Sequence, residues 1–178
     1  TAAIDRLLAQ RYGRNPNVIL WHISNEFGGE CHCQLCQAAF RNWLKKKYNN
    51  SLDALNHAWW SAFWSHTVTD WEQLHSPMQN GEPDEIMTGL YLDWRNFVTY
   101  QTTDFMKMEI EAIRSAGSDI PVTTNMMWTP QQIDYHYLKD HIDVVSWDAY
   151  PSWHEQDQIR CAVDAAFNHN YFRSLKHK

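Results

Sequence analysis

Val18-Ile19-Leu20-Trp21-His22-Ile23-Ser24-Asn25-Glu26 is the stretch that decides the fold. The run from Val18 to Ile23 is rich in β-branched and aromatic residues, and polarity begins abruptly at Ser24. Such a run reads as a buried parallel strand, because a strand covered on both faces need not alternate. An Asn-Glu pair at the carboxyl end of that strand sits where (β/α) barrels build their sites. A carboxyl group there can protonate a leaving oxygen, and the amide beside it can hold a sugar hydroxyl.

Working outward, Ile4, Leu7, Leu8 and Tyr12 fall at helical spacing, with Gly13 as a stop signal. Asn15-Pro16-Asn17 turns the chain into the strand. Downstream, Cys36, Ala39, Phe40, Trp43 and Leu44 mark one face of a helix that ends near Lys45-Lys46-Lys47, where the helix dipole favours cations and the lysines are expected to be solvated. Ser51 reads as the N-cap of a short helix through Trp59. The stretch from Trp60 to Pro83 is irregular, and a loop of that length in a compact domain is usually functional. A long helix then runs from about Met87 to Ile113 and closes at Gly117. Strands are expected at Pro121 to Asn125 and Val144 to Trp147, with a short helix at Tyr135 to Asp140 between them. Ile159, Val163, Ala166 and Phe167 mark the inner face of a final helix, with Cys161 in the core. Three strands separated by helices imply a parallel α/β sheet with right-handed crossovers. Three strands cannot close a barrel, so the reading is part of a barrel or a smaller open sheet.

The chain has 178 residues, enough for one domain, and a net charge of −6 spread along its length. No basic stripe suggests nucleic acid. No apolar stretch approaches the roughly 20 residues that cross a membrane. There are 10 Trp, many beside turn residues where rings can stack on sugars. Cys31, Cys33 and Cys36 lie within six residues, a spacing closer to metal ligation than to a disulfide framework. That spacing favours a reducing cytoplasm.

Several segments together resemble glycoside hydrolase family 42, the β-galactosidases. They are Asn15 to Glu26, Cys31-His32-Cys33-Gln34-Leu35-Cys36, Phe40 to Tyr48, Leu52 to Trp59, Phe63-Trp64-Ser65, Val122 to Asn125 and Ser146-Trp147-Asp148-Ala149-Tyr150-Pro151. The resemblance implies barrel strands four to six of a (β/α)8 TIM barrel, one segment over residues 1–178 truncated at both ends. It also implies a retaining mechanism on β-galactosides or galacto-oligosaccharides. Glu26 would be the acid/base, Asn25 a partner of the sugar 2-hydroxyl, Tyr150 an aromatic hydroxyl near the nucleophile, and Trp64 a sugar-stacking residue. The nucleophile would lie outside this chain. Cys31, Cys33 and Cys36 would hold a structural zinc whose fourth ligand lies upstream, with His32 and His22 as possible substitutes. The complete enzyme would be a homo-oligomer, a trimer.

Retaining hydrolysis needs two carboxyl groups about 5–5.5 Å apart. Asp148 could be a second one, although a strand-end Asp more often accepts loop N–H groups. Three other readings stay open: a non-catalytic carbohydrate-binding module, a small zinc-organised interaction domain, and another retaining β-glycosidase of the same clan.

Overall fold

A computed structural model describes residues 1–79, 82–83, 87–127, 133–152, 154 and 157–176, with the backbone alone at residues 64, 78–79 and 82–83. In chain order the elements are α1 (Ala2–Tyr12), β1 (Trp21–His22), α2 (Gln34–Lys47), α3 (Leu52–Trp59), β2 (Met78–Gln79), β3 (Glu82–Pro83), α4 (Thr88–Ser115), β4 (Val122–Met126), α5 (Tyr135–Leu138), β5 (Val144–Trp147) and α6 (Gln158–Leu175). They fall into two compact units, residues 1–28 with 99–178, and residues 29–98.

The first unit is built on a parallel sheet of order β1-β4-β5. Trp21 pairs with Val122, and Thr123 to Met126 pair with Val144 to Trp147. This is the expected α/β arrangement, with α4 crossing from β1 to β4. The first strand is shorter than the apolar run. Its ladder extends from Trp21, donating to Pro121 O at 2.8 Å, to Ile23, donating to Thr123 O at 2.9 Å. Val18 to Leu20 precede the start of β4, so they have no pairing partner there, and Ile19 is 81% exposed. The expectation of a wholly buried strand therefore fails at its amino end.

Arg114 organises the turn into β4. Its guanidinium donates to Ser118 O and Ile120 O and meets Asp143 at 2.9 Å, while Asp143 also accepts from Val122 N. Gly117 takes φ +83°, which only glycine adopts freely, and so closes α4. Gly13 is needed for another reason: a Cβ there would stand 2.4 Å from Ala9 O and 2.8 Å from Ser118 Cβ.

The core of this unit gathers Ile23, Met106, Ile113, Val122, Ile142 and Phe172. Each such side chain contributes about 1.5–3 kcal/mol when fully buried. Two expected faces are turned outward. Ile159, Val163 and Phe167 of α6 are exposed, as are Ile4 and Leu7 of α1. The buried residues of α6 lie at its far end, Phe172 and Leu175, and Cys161 is only half-buried. Helical spacing identifies an apolar face, but which neighbour covers it depends on the tertiary contacts.

The second unit is aromatic. Phe40 packs edge-on against Trp94 at 5.0 Å and tilted against Phe97 at 5.3 Å. Ser51 caps α3 as expected, accepting from Ala54 N at 3.1 Å. Gly89 lets α4 pass close to α3, since a Cβ would meet the Trp59 ring at 2.6 Å. The lysines at the end of α2 are not simply solvated. Lys47 pairs with buried Asp93, which also accepts from Tyr48 Oη at 2.7 Å and Trp59 Nε1 at 2.9 Å. A buried carboxylate needs such partners. The irregular stretch from Trp60 contains two short 3-10 turns and the antiparallel β2-β3 pair.

Candidate active site

Parallel strands deliver their carboxyl ends to one edge of the sheet, and three of them end in polar residues. β1 leads into Ser24-Asn25-Glu26, β4 carries Asn125, and β5 leads into Asp148. The register places them together. Asn125 lies opposite Ser146, and Asp148 N donates to Met126 O at 2.9 Å. Asn125 Oδ1 accepts from Glu26 N at 2.9 Å. Its Nδ2 donates to Asn25 Oδ1 at 3.1 Å and to both carboxylate oxygens of Asp148 at 3.0 Å.

The Glu26 carboxyl is solvent-exposed. Its pKa is raised above the ordinary glutamate range, first by hydrogen bonding with the Asp148 side chain, then by partial desolvation and the Asp148 charge. Among the described residues, the donor to Asp148 is an amide side chain, Asn125 Nδ2, rather than a loop N–H.

Ser24 and Glu26 adopt φ of 45° and 48°, a left-handed conformation unusual outside glycine. From below, Ser24 Oγ donates to Glu109, whose carboxylate oxygens both lie 2.8 Å away. Glu109 is 1% exposed, and burial raises its pKa. A cleft of about 720 Å³ opens beside Glu26, lined by Asp148, Tyr150, Arg160 and Asp164 among others. Tyr150 is exposed on its wall. The sheet thus brings Asn25, Glu26 and Tyr150 to one place in the first unit. Ser24, Glu109 and Asn125 were not anticipated as site residues. The signals available for Asn125 were its place at the end of the expected strand Pro121 to Asn125 and within a segment that carries the family resemblance.

The second unit holds the other candidates. The sulfurs of Cys31, Cys33 and Cys36 lie within 4.8 Å of one another, and no fourth ligand joins them among the described residues. Ligands at a tetrahedral zinc stand about 3.8 Å apart, so the three thiols fit such an ion with little adjustment. Cys33, the N-cap of α2, has its thiol drawn down to about 7, first by the Cys36 backbone N–H and then by the neighbouring thiols. Burial pushes Cys36 up to about 11. His32 is unsuited to complete the set, since its Nδ1 meets Ser76 Oγ at 2.8 Å and its Nε2 meets Glu30 at 3.3 Å. The backbone at Trp64 lies in a 3-10 turn, and its side chain is outside the described residues.

The chain resembles known proteins along its whole length. The family model described as Beta-galactosidase, glycoside hydrolase family 42, matches residues 1–178. β-Galactosidase BglY of Alicyclobacillus acidocaldarius is 53% identical over 98% of this chain and 25% of its own. β-Galactosidase GanA of Bacillus subtilis is 52% identical over 99% of this chain and 27% of its own. The crystal structure of a Rahnella β-galactosidase superposes with a TM-score of 0.91 at 50% identity, covering 99% of this chain and 26% of that one. A catalytic mutant of a family 42 β-galactosidase from G. stearothermophilus gives 0.91 at 52% identity, covering 98% and 26%. The chain spans about a quarter of the length of these relatives, and its α/β fold is part of their TIM barrel. A parallel sheet with a polar carboxyl edge, matched end to end by one family, places this chain in glycoside hydrolase family 42.

Proposed function

We propose that this chain carries the acid/base carboxyl, Glu26, of a retaining β-galactosidase. The observation that carries the reading is the place of Glu26 at the carboxyl ends of parallel strands, where Asn125 joins its backbone to Asp148, the neighbour that raises its pKa. A general acid for a glycosidic oxygen must be protonated near its working pH, and a neighbouring carboxylate is one way to achieve that. Asn25 commits its Oδ1 to Asn125, so its Nδ2 is the group it has to offer a sugar hydroxyl. Tyr150, on the cleft wall, and Trp64 are the further sugar-binding residues in this reading. The mechanism is double displacement, with the nucleophile supplied from outside residues 1–178, as the family resemblance implies. Residues 1–178 act as one segment of a catalytic (β/α)8 barrel domain, and the isolated segment is inactive.

Cys31, Cys33 and Cys36 hold a structural zinc with a fourth ligand from elsewhere in the enzyme. Their mutual distances and the low pKa of Cys33 support this. The family resemblance supports β-galactosides as substrates and a homotrimer as the assembly.

The test is Glu26→Ala in the complete enzyme. Activity on alkyl galactosides, with poor leaving groups, should fall on the order of 10²–10⁴-fold. Activated aryl galactosides should lose far less, and azide should partly restore turnover. Equal losses across leaving groups with no azide rescue would remove the assignment, and a sugar-binding protein without chemistry would cleave nothing.

A further inference from the structure

We infer that Asn125 is a positioning residue for the Asn25-Glu26 pair, each end of its amide serving one member. This rests on the reading of Glu26 as acid/base. Asn125 lies on β4, yet its side chain reaches the ends of both neighbouring strands. Its orientation is fixed by chemistry. Only Oδ1 can accept the Glu26 N–H, at 2.9 Å, and only Nδ2 can donate to the Asp148 carboxylate, at 3.0 Å. Nδ2 must then also face Asn25, whose Oδ1 accepts at 3.1 Å.

The two ends do different work. Glu26 holds φ 48°, a conformation that persists in a non-glycine residue only where the surroundings impose it. The Asn125 Oδ1 contact is the side-chain hydrogen bond to its backbone among the described residues. The same amide, through Nδ2, holds the Asp148 carboxylate, the neighbour that raises the Glu26 pKa. One side chain therefore sets both where the Glu26 backbone stands and where the neighbouring carboxylate stands. Through Nδ2 it also fixes the rotation of the Asn25 amide, which decides whether Asn25 offers a sugar a donor or an acceptor. Asn125 touches no reacting atom in this scheme and acts through its neighbours.

The test uses the complete enzyme, with Asn125→Ala, Asn125→Asp and Glu26→Ala side by side. Each is assayed for kcat and KM on galactosides whose leaving groups span a wide range of acidity. Asn125→Ala removes both ends. Its kcat/KM should fall on the order of 100-fold on the poorest leaving groups, as a misplacement of about 1 Å can cost, and much less on activated ones. Asn125→Asp keeps an oxygen for the Glu26 N–H but has no donor for Asn25 or Asp148 and sets a second carboxylate against Asp148. Its KM should rise across the whole series through Asn25, and its kcat should fall further on the poorest leaving groups through Asp148. A flat loss in Asn125→Ala, or wild-type kinetics in either variant, overturns the inference. If Asn125→Ala does not fold, wild-type kcat/KM in the near-isosteric Asn125→Asp is enough to overturn it. Glu26→Ala separates the two levels. Leaving-group dependence there without any in Asn125→Ala sinks this inference alone, while a flat Glu26→Ala sinks the acid/base reading and this inference with it.

Discussion

The cysteine loop and the strand ends around Glu26 are both clusters of reactive side chains, assembled in opposite ways. Cys31, Cys33 and Cys36 come from six consecutive residues, and the first turn of α2 brings them together. The strand-end group joins residues far apart, with Asn125 lying 99 positions from Glu26 and 100 from Asn25. The first cluster is encoded by spacing. The second is encoded by strand register, and a slip of one residue in β4 would bring Thr124 to the place of Asn125 and turn it to the other face. A local cluster can be found by inspection of the sequence, whereas a register-built cluster needs the topology first.

This contrast can be broken or sharpened experimentally. The largest effect is expected from Cys33→Ala, which removes the thiol that most readily becomes a thiolate. Zinc in the complete protein should fall from one per chain to none by elemental analysis, and retained stoichiometric zinc would contradict the ligand set. Next is Phe40→Ala, which opens the aromatic centre of the second unit. It should cost about 3–5 kcal/mol in urea unfolding. A loss below about 1 kcal/mol would show that this centre collapses easily around the gap.

Glu30→Ala asks whether the cysteine loop is as self-sufficient as its spacing suggests. Glu30 accepts from Trp94 Nε1 at 2.7 Å and meets His32, which itself stacks on Trp94 at 5.0 Å. Losing that support should weaken zinc binding about tenfold, in the range typical of outer supports to metal ligands. Unchanged affinity in a chelator competition would mark the loop as independent of its core.

The smallest effect is a slope. Burial raises the pKa of Glu109, so the folded protein holds that proton more tightly than the unfolded chain. The stabilisation is complete at low pH and is lost as pH rises from the ordinary carboxyl range through the raised value. Glu109→Gln keeps an acceptor for Ser24 and cannot ionise. Its stability relative to wild type should improve as pH rises from about 4 to about 7. A difference independent of pH would mean that Glu109 titrates in the folded protein as it does in the unfolded chain.

Much of this was legible from residues alone. The Ser51 cap, the α4 crossing, the strand Val144–Trp147 and the cysteine group follow from local rules of capping, periodicity and ligand spacing. What was not legible shares one cause. The exposure of Ile19, the outward face of α6, the burial of Asp93 with Lys47 and the bridging by Asn125 all depend on which element lies alongside. Asn25-Glu26 stood out because it ends a long apolar run. Asn125 follows Val122-Thr123-Thr124 with no such change in polarity, and its partners lie on other strands, so no local pattern names them.

The left-handed backbone at Glu26 sets a trade between stability and chemistry at a single position. A residue with a Cβ held there carries about 1–3 kcal/mol of strain, which glycine or asparagine would largely relieve. Glu26→Gly or Glu26→Asn should thus yield a protein harder to unfold than the wild type that, on the proposed acid/base reading, turns over poor leaving groups far more slowly. A screen that rewards thermostability alone would select the loss of the carboxyl proposed as the acid. Inactive variants made for trapping substrate will not be thermodynamically neutral stand-ins for the enzyme, and Glu26→Gln, which keeps the branching and the strain, is the better matched of them.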